Sequence, residues 1–148
     1  MGKKAKLRHF AITTADPEKT AEFYKEAFGM EEVGRTNSPI ARGLYLSDGV
    51  INIAILKYKT DEAAGIERGV DWYGLHHIGF WVDKVPDAAQ QITDAGGSYM
   101  MGAVSDSPNT FYEVKYRGPD GVICDITEHG WVGAQKEVAP AKEPAPAK

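Results

Sequence analysis

The stretch GLHHIGFWV, residues 74–82, decides the fold, because a second copy of its opening stands upstream. LRHFAI begins at Leu7 and LHHIGF at Leu75, 68 residues apart. Both runs alternate in the manner of a β-strand, where neighbouring side chains point to opposite faces. The spacing persists beyond the strand. A proline-bearing helix start follows each copy, Asp16-Pro17 in the first and Val85-Pro86-Asp87 in the second. Glycines close each helix, with Gly29 and Gly97 again 68 residues apart, and an Asp-Gly turn follows at Asp48-Gly49 and Asp120-Gly121, 72 apart. An insertion of about four residues before the second turn accounts for the drift, and a repeat of this length is one supersecondary unit.

Each unit reads as strand, helix, then three short strands. The first is expected to hold a strand at 7–13, a helix at 17–28 and strands near 31–35, 41–46 and 50–57. Asp16 suits an N-cap, and Pro17 suits the first helical position because its missing N–H has no partner to lose. Ala21, Tyr24 and Phe28 lie at helical spacing and are expected to form its buried stripe. The second unit is expected at 75–82, 86–95, 98–101, 110–116 and 122–127. The fold class is therefore α+β, a tandem pair of βαβββ modules at about 5–57 and 74–131, joined by a loop at 58–73, within a single domain over 1–134. From Gln135 onward, QKEVAPAKEPAPAK has no large apolar residue after Val138 and reads as a disordered tail, since it cannot bury enough surface to offset its ordering entropy.

Composition bounds the function. The 148 residues are 43% hydrophobic and 26% charged with a net charge of -4, ordinary for a globular chain and opposed to nucleic-acid binding. The basic cluster Lys3, Lys4, Lys6 and Arg8 reads as a solvated start of the chain. No apolar run approaches the ~18 residues of a membrane span, no signal peptide is read, and the single cysteine, Cys124, fits a cytoplasmic protein without disulfides.

Strand parity locates a candidate site. Phe10 and Ile12 in the first copy, and Ile78, Phe80 and Val82 in the second, form the bulky faces that should pack under the helices. His9 and His77 then share the opposite face, at matching repeat positions, each followed two residues later by a small residue, Ala11 or Gly79. His76 takes the place of Arg8 and faces away, with no evident partner. On the last strand, Asp125 shares the face of the histidines, while Cys124 faces the helix and Glu128, at the strand end, is expected in solvent. A mid-strand aspartate must be paired or ligated, so Asp125 reads as a metal ligand beside His9 and His77 or as a structural hydrogen-bonding residue. Glu113 and Lys115 lie on the cavity face of the preceding strand, either toward a substrate or as a structural ion pair. Tyr45 and Tyr112 read as core or rim.

LRHFAITTADPEKTAEFYKEAFGM, LHHIGFWV and YRGPDGVICDI together resemble the vicinal oxygen chelate superfamily, which includes glyoxalase I, extradiol dioxygenases, epimerases and bleomycin-binding proteins. The resemblance spans residues 7–131 and implies two βαβββ modules curling into an incomplete, mixed-sheet barrel around a metal. It implies metal ligands at His9, His77 and Asp125, where the family's usual last-strand glutamate is an aspartate. A fourth ligand on the first module's last strand would fall four residues after Gly49, at Ile53, with Asn52 of the wrong parity. Three ligands leave adjacent coordination positions free and resemble the extradiol enzymes. The resemblance then implies a dioxygenase-like enzyme with Fe(II) or Mn(II) acting on a small oxygenated molecule, with Glu113 and Lys115 as catalytic residues. A glyoxalase I-like lyase or isomerase with Zn(II) or Ni(II) is the alternative, and a non-catalytic drug-binding protein of the bleomycin-resistance type a further one. It also implies a homodimer, for which Trp72, Tyr73 and Trp131 are candidate contact residues.

Overall fold

The computed structural model describes residues 4–106 and 112–138. The expected tail from 139 onward and the expected strand start at Thr110 and Phe111 lie outside these residues. The first module comprises β1 (Lys6–Thr13), α1 (Pro17–Phe28), β2 (Glu31–Asn37), β3 (Ala41–Ser47) and β4 (Asn52–Tyr58). After a helical turn α2 (Asp61–Ala64), the second comprises β5 (Gly74–Trp81), α3 (Val85–Asp94), β6 (Ser98–Met101), β7 (Val114–Arg117) and β8 (Ile123–Thr127). The repeat read from the sequence is thus the architecture. The connecting loop is not wholly irregular, because Thr60 caps α2 by accepting a hydrogen bond from the backbone N–H of Ala63.

The eight strands form one mixed sheet in the order β2-β3-β4-β1-β5-β8-β7-β6. Within each module the first and last strands pair in parallel, β1 with β4 and β5 with β8. The modules join where β1 meets β5 antiparallel. Helix α1 starts as its sequence requires, with Asp16 Oδ1 accepting from Lys19 N, and ends at Gly29 in the left-handed conformation with φ of 66°. Its buried contact is Ala21 against Leu44, Leu46 and Ile55, with Tyr24 and Ile53 at the margin. Phe28 departs from the expected stripe. It lies 68% exposed at the end of the helix, where Tyr24 and Phe23 are its ring neighbours instead of the sheet.

Helix α3 packs Val85 and Ala88 on Val82, Ile126, Val114 and Tyr112, with Phe80, Ile92 and Cys124 beside them. Cys124 therefore belongs to the core, as parity requires, and Tyr112, expected at core or rim, is in the core. Lys84 gives α3 no side-chain cap, and Glu128, just past the end of β8, supplies the function, its Oε1 accepting from Val85 N at 2.7 Å. That contact corrects the expectation that Glu128 is solvent-exposed. Helices α1 and α3 occupy one face of the sheet. On the other face Ala11, Ala54, Leu56 and Tyr58 pack under Ala64 of the connecting segment, continuous with the site below. Past β8 the chain runs back along the first module, where Gln135 N donates to Val50 O and its carbonyl accepts from Arg8 Nε.

Candidate metal centre

Strand register assembles the site. Asn52 on β4 is directly opposite His9 on β1, His9 opposite Gly79 on β5, Gly79 opposite Asp125 on β8, and Asp125 opposite Lys115 on β7. Five strands thus contribute one continuous cross-strand row whose side chains share a face. Gly79 lets the row close. A Cβ there would lie 2.4 Å from Asp125 Oδ1 and 2.8 Å from both His9 Cβ and Trp131 Cζ2. The small residue after His77 does not leave open volume, as parity alone suggests; the carboxylate of Asp125, His9 and the indole of Trp131 fill it.

His77 lies beside this row. Its register partner is Ala11, while Ile12 pairs with Leu75, so His76 is an extra residue in β5. Such a bulge breaks the alternation of faces. Both histidines are consequently buried, and their rings meet edge to face at 5.1 Å. His76 therefore does not face away. It links the backbone behind the site to His77, with Nε2 2.5 Å from Ala64 O and Nδ1 2.8 Å from His77 Nδ1. Its carbonyl accepts from Arg68, whose guanidinium lies over Trp72.

These contacts assign the tautomers. A carbonyl only accepts, so His76 carries its proton on Nε2 and accepts at Nδ1. Burial, with neighbouring His77, lowers the His76 pKa to about 4 and keeps it neutral. His77 must then donate from Nδ1, which turns an unprotonated Nε2 into the cluster. His9 reaches the same state by another partner. Asn52 Nδ2 donates to Val132 O at 2.6 Å, so Asn52 Oδ1 faces His9 and accepts from its Nδ1 at 2.7 Å. Both imidazoles present bare Nε2 atoms with Nδ1–H held behind, the arrangement that orients histidine ligands in metal sites.

The charged residues complete the cluster. Asp125 is fully buried, with Oδ2 3.1 Å from His77 Nε2 and 3.0 Å from Lys115 Nζ. Two acceptors 3.1 Å apart repel unless a cation lies near both. The Lys115 ammonium fills that role, 3.4 Å from His77 Nε2 and 2.7 Å from Glu113 Oε2. Burial alone would raise the Asp125 pKa, but Lys115 and then His77 outweigh it and hold the carboxyl below its ordinary range. Burial alone would lower the Lys115 pKa, but Glu113 and Asp125 outweigh it and raise it. For His77, burial and Lys115 lower the pKa. Burial pushes the nearby Tyr58 phenol up to about 12.

Glu113 Oε1 stands 3.8 Å from His9 Nε2 and accepts from Trp131 Nε1 at 2.8 Å. Trp131 also stacks on His9, with centroids 4.7 Å apart. It is 8% exposed and closes the site within the chain. Trp72 is half-buried under Arg68, which leaves Tyr73 alone exposed among the three aromatics expected at a dimer contact.

The donor set fits a divalent cation. Among the described residues, His9, His77, Glu113 and Asp125 each offer a ligand atom, all within 4.8 Å of one another. Two donors on one ion with bonds of about 2.1 Å lie at most about 4.2 Å apart, so a small contraction suffices. Asp125 Oδ1 is buried and has no hydrogen-bond partner among the described residues, which leaves an acceptor to be satisfied. A set of two imidazoles and two carboxylates suits Fe(II), Mn(II), Zn(II) and Ni(II) in common.

Every residue expected at the site from the sequence, His9, His77, Asp125, Glu113 and Lys115, is brought together. The first module's contribution differs from expectation. Asp125 is opposite the residue two after His77, so its repeat counterpart is opposite Ala11, which is Ala54 and not Ile53. Ile53 packs toward α1, whereas Asn52 faces the site. Asn52, His76, Tyr58 and Trp131 escaped sequence reasoning. For Asn52 a signal existed, a lone amide opening the apolar strand INIAIL, since a buried polar group needs a partner. An apolar pocket of about 270 Å³ lies on the helix face, against Phe80, Ile92, Cys124 and Ile126, and is separated from the cluster by the sheet. Among the described residues, no helix is long and apolar enough to cross a membrane.

Comparison with known proteins agrees with this fold. The profile of the Glyoxalase/Bleomycin resistance protein/Dioxygenase superfamily matches residues 6–126. No curated protein matches by sequence. Among solved structures, a hypothetical protein from Bacillus halodurans is 19% identical with a TM-score of 0.68, covering 93% of this chain and 99% of that one. A variant of Streptomyces coelicolor methylmalonyl-CoA epimerase, in complex with 2-nitronate-propionyl-CoA, is 22% identical with a TM-score of 0.65, covering 84% and 96%. A mutant of 4-hydroxymandelate synthase from the same organism is 14% identical with a TM-score of 0.70, covering 88% of this chain but 40% of that one. At these identities the likeness is one of fold.

Proposed function

The chain belongs to the Glyoxalase/Bleomycin resistance protein/Dioxygenase superfamily, and we propose that it is a metal-dependent enzyme acting on a small oxygenated molecule, with a dioxygenase-like site for Fe(II) or Mn(II). The observation that carries this reading is the pair of imidazoles locked by Asn52 and His76, with their Nε2 atoms in one cluster with the carboxylates of Asp125 and Glu113. In this reading His9, His77 and Asp125 are the metal ligands. A divalent ion held there supplies Lewis acidity toward neighbouring oxygens of a substrate and, as Fe(II) or Mn(II), redox capacity. Ala54 at the counterpart of Asp125 favours open coordination positions, because its methyl group cannot ligate.

The remaining roles fall to the chain's own groups. Glu113, reachable from solvent on one side and held by Trp131 and Lys115, accepts or returns a proton at a substrate hydroxyl. Lys115 offsets negative charge developing on a substrate oxygen. Trp131 covers His9 and limits water at the centre. A second reading, a glyoxalase I-like lyase or isomerase with Zn(II) or Ni(II), is favoured by one observation, the approach of Glu113 to His9 at 3.8 Å, which makes it a fourth donor or a base on a metal-polarised carbonyl.

Anaerobic reconstitution with Fe(II), followed by oxygen uptake on a panel of catechols, tests the first reading. Substrate-dependent uptake that disappears in Asp125→Ala is the expected result. No uptake, together with Zn(II)- or Ni(II)-dependent turnover of the methylglyoxal–glutathione hemithioacetal, would replace it with the second reading.

A further inference from the structure

The Lys115 ammonium touches three of the four candidate donors, His77 Nε2, Asp125 Oδ2 and Glu113 Oε2, at 3.4, 3.0 and 2.7 Å. It is a cation delivered by the chain to the position where the donors converge, fixed there because Lys115 and Asp125 are directly opposite across β7 and β8. From this we infer that Lys115 is a tethered competitor for the metal, an internal counter-cation that holds the cluster together until a divalent ion displaces it. The inference rests on the metal reading above and adds a residue that opposes loading.

The geometry defines the exchange. His77 Nε2 has a single lone pair and cannot direct it at a metal and at the ammonium together, so loading requires Lys115 to release His77. The ammonium's charge beside Asp125, whose Oδ1 is unpartnered among the described residues and free for the ion, opposes entry of a second cation. Glu113 provides the place to go. It makes the shortest of the three contacts, and its side chain is 27% exposed while that of Asp125 is buried, so the flexible lysine stem can move outward with Glu113 as its partner. No proton need be lost in this movement. Removing the ammonium while keeping the stem's bulk should therefore strengthen metal binding and weaken the metal-free fold, a combination that neither a structural ion pair nor a residue acting only on substrate produces.

The test titrates Mn(II) into chelator-treated full-length wild type and Lys115→Met, with bound metal and thermal stability both measured. Lys115→Met is expected to bind Mn(II) at least about tenfold tighter than wild type, the effect of one uncompensated charge lifted at this range, and to be less stable than wild type in chelator with the loss recovered on adding Mn(II). A second measurement needs no variant. Reductive methylation of Lys115 in the wild type, followed by mass spectrometry, should accelerate when Zn(II) is saturating. Mn(II) binding by Lys115→Met that is equal to or weaker than wild type overturns the inference and leaves the metal reading intact, as does methylation of Lys115 unchanged by bound Zn(II). Failure of both proteins to bind Mn(II) or Zn(II) overturns the metal reading and this inference with it.

Discussion

Replacing Gly79 with alanine tests whether the site is assembled by the cross-strand row. The added Cβ would lie 2.4 Å from Asp125 Oδ1 and 2.8 Å from His9 Cβ and Trp131 Cζ2. Two of these three neighbours are rigidly placed in the same row, and the third is packed on His9. Overfilling a tight interior costs about 1–3 kcal/mol. Here the nearest neighbour is a buried carboxylate, and moving it loosens its contact with Lys115. Breaking a buried ion pair outright costs about 3–5 kcal/mol. A partial displacement puts the total at roughly 4 kcal/mol, or a fall in Tm of roughly 10 °C for a chain of this size. Urea and thermal denaturation, each with and without Mn(II), provide the assay, with metal binding expected to fall in parallel. Gly118→Ala is the control, because its Cβ meets only Val122 O at an ordinary 3.8 Å, and it should stay within about 0.5 kcal/mol of wild type. If Gly79→Ala also stays within about 1 kcal/mol and binds metal normally, His9 and Asp125 do not close over Gly79 and the account of the site fails.

Other consequences follow from the groups behind the ligands. The His76 pKa falls from its ordinary 6.5 to about 4 in the fold, so the unfolded chain binds the extra proton between those values. Its contribution is present above about pH 6.5 and lost as pH falls toward 4, up to about 3 kcal/mol; His76→Gln should flatten this part of a stability–pH profile, and identical profiles would contradict the neutral His76. Asn52→Leu frees His9 Nδ1 and strands Val132 O, which should weaken metal binding by about 10–100-fold and cost about 1–3 kcal/mol of stability; unchanged binding in a metal titration would show that Asn52 does not orient His9. Trp131→Phe keeps a ring over His9 but removes the donor to Glu113, so stability should fall by about 1 kcal/mol in urea denaturation. Metal affinity should change less than in Asn52→Leu, and a larger loss would mean that Glu113 is itself indispensable to binding.

Parity and the 68-residue repeat were enough to pair His9 with His77 and to bring Asp125, Glu113 and Lys115 to the same face, because those relations depend only on the two-residue period of a strand. Features set by register or by a single irregularity were not legible in this way. His76 looked misplaced because one extra residue in β5 cancels the alternation at that point. Counting from Gly49 selected Ile53, but pairing of β1 with β4 makes Asn52 the partner of His9 and Ala54 the counterpart of Asp125. Trp131 follows the last strand, where no periodicity governs direction, and its place on His9 depends on the chain's return across the first module. Phe28 failed as a core residue for a local reason. It is the last residue of α1, beyond the part of the helix that contacts β3 and β4.

Metal content shows whether His9, His77 and Asp125 hold a divalent ion. Full-length protein and Asp125→Ala, purified in parallel, exposed to a common mixture of divalent metals and desalted, can be compared by elemental analysis. About one divalent ion per chain is expected in the wild type and a large loss in the variant, since the fully buried carboxylate of Asp125 has no substitute at Ala54. Equal metal content in the two proteins would contradict this ligand set.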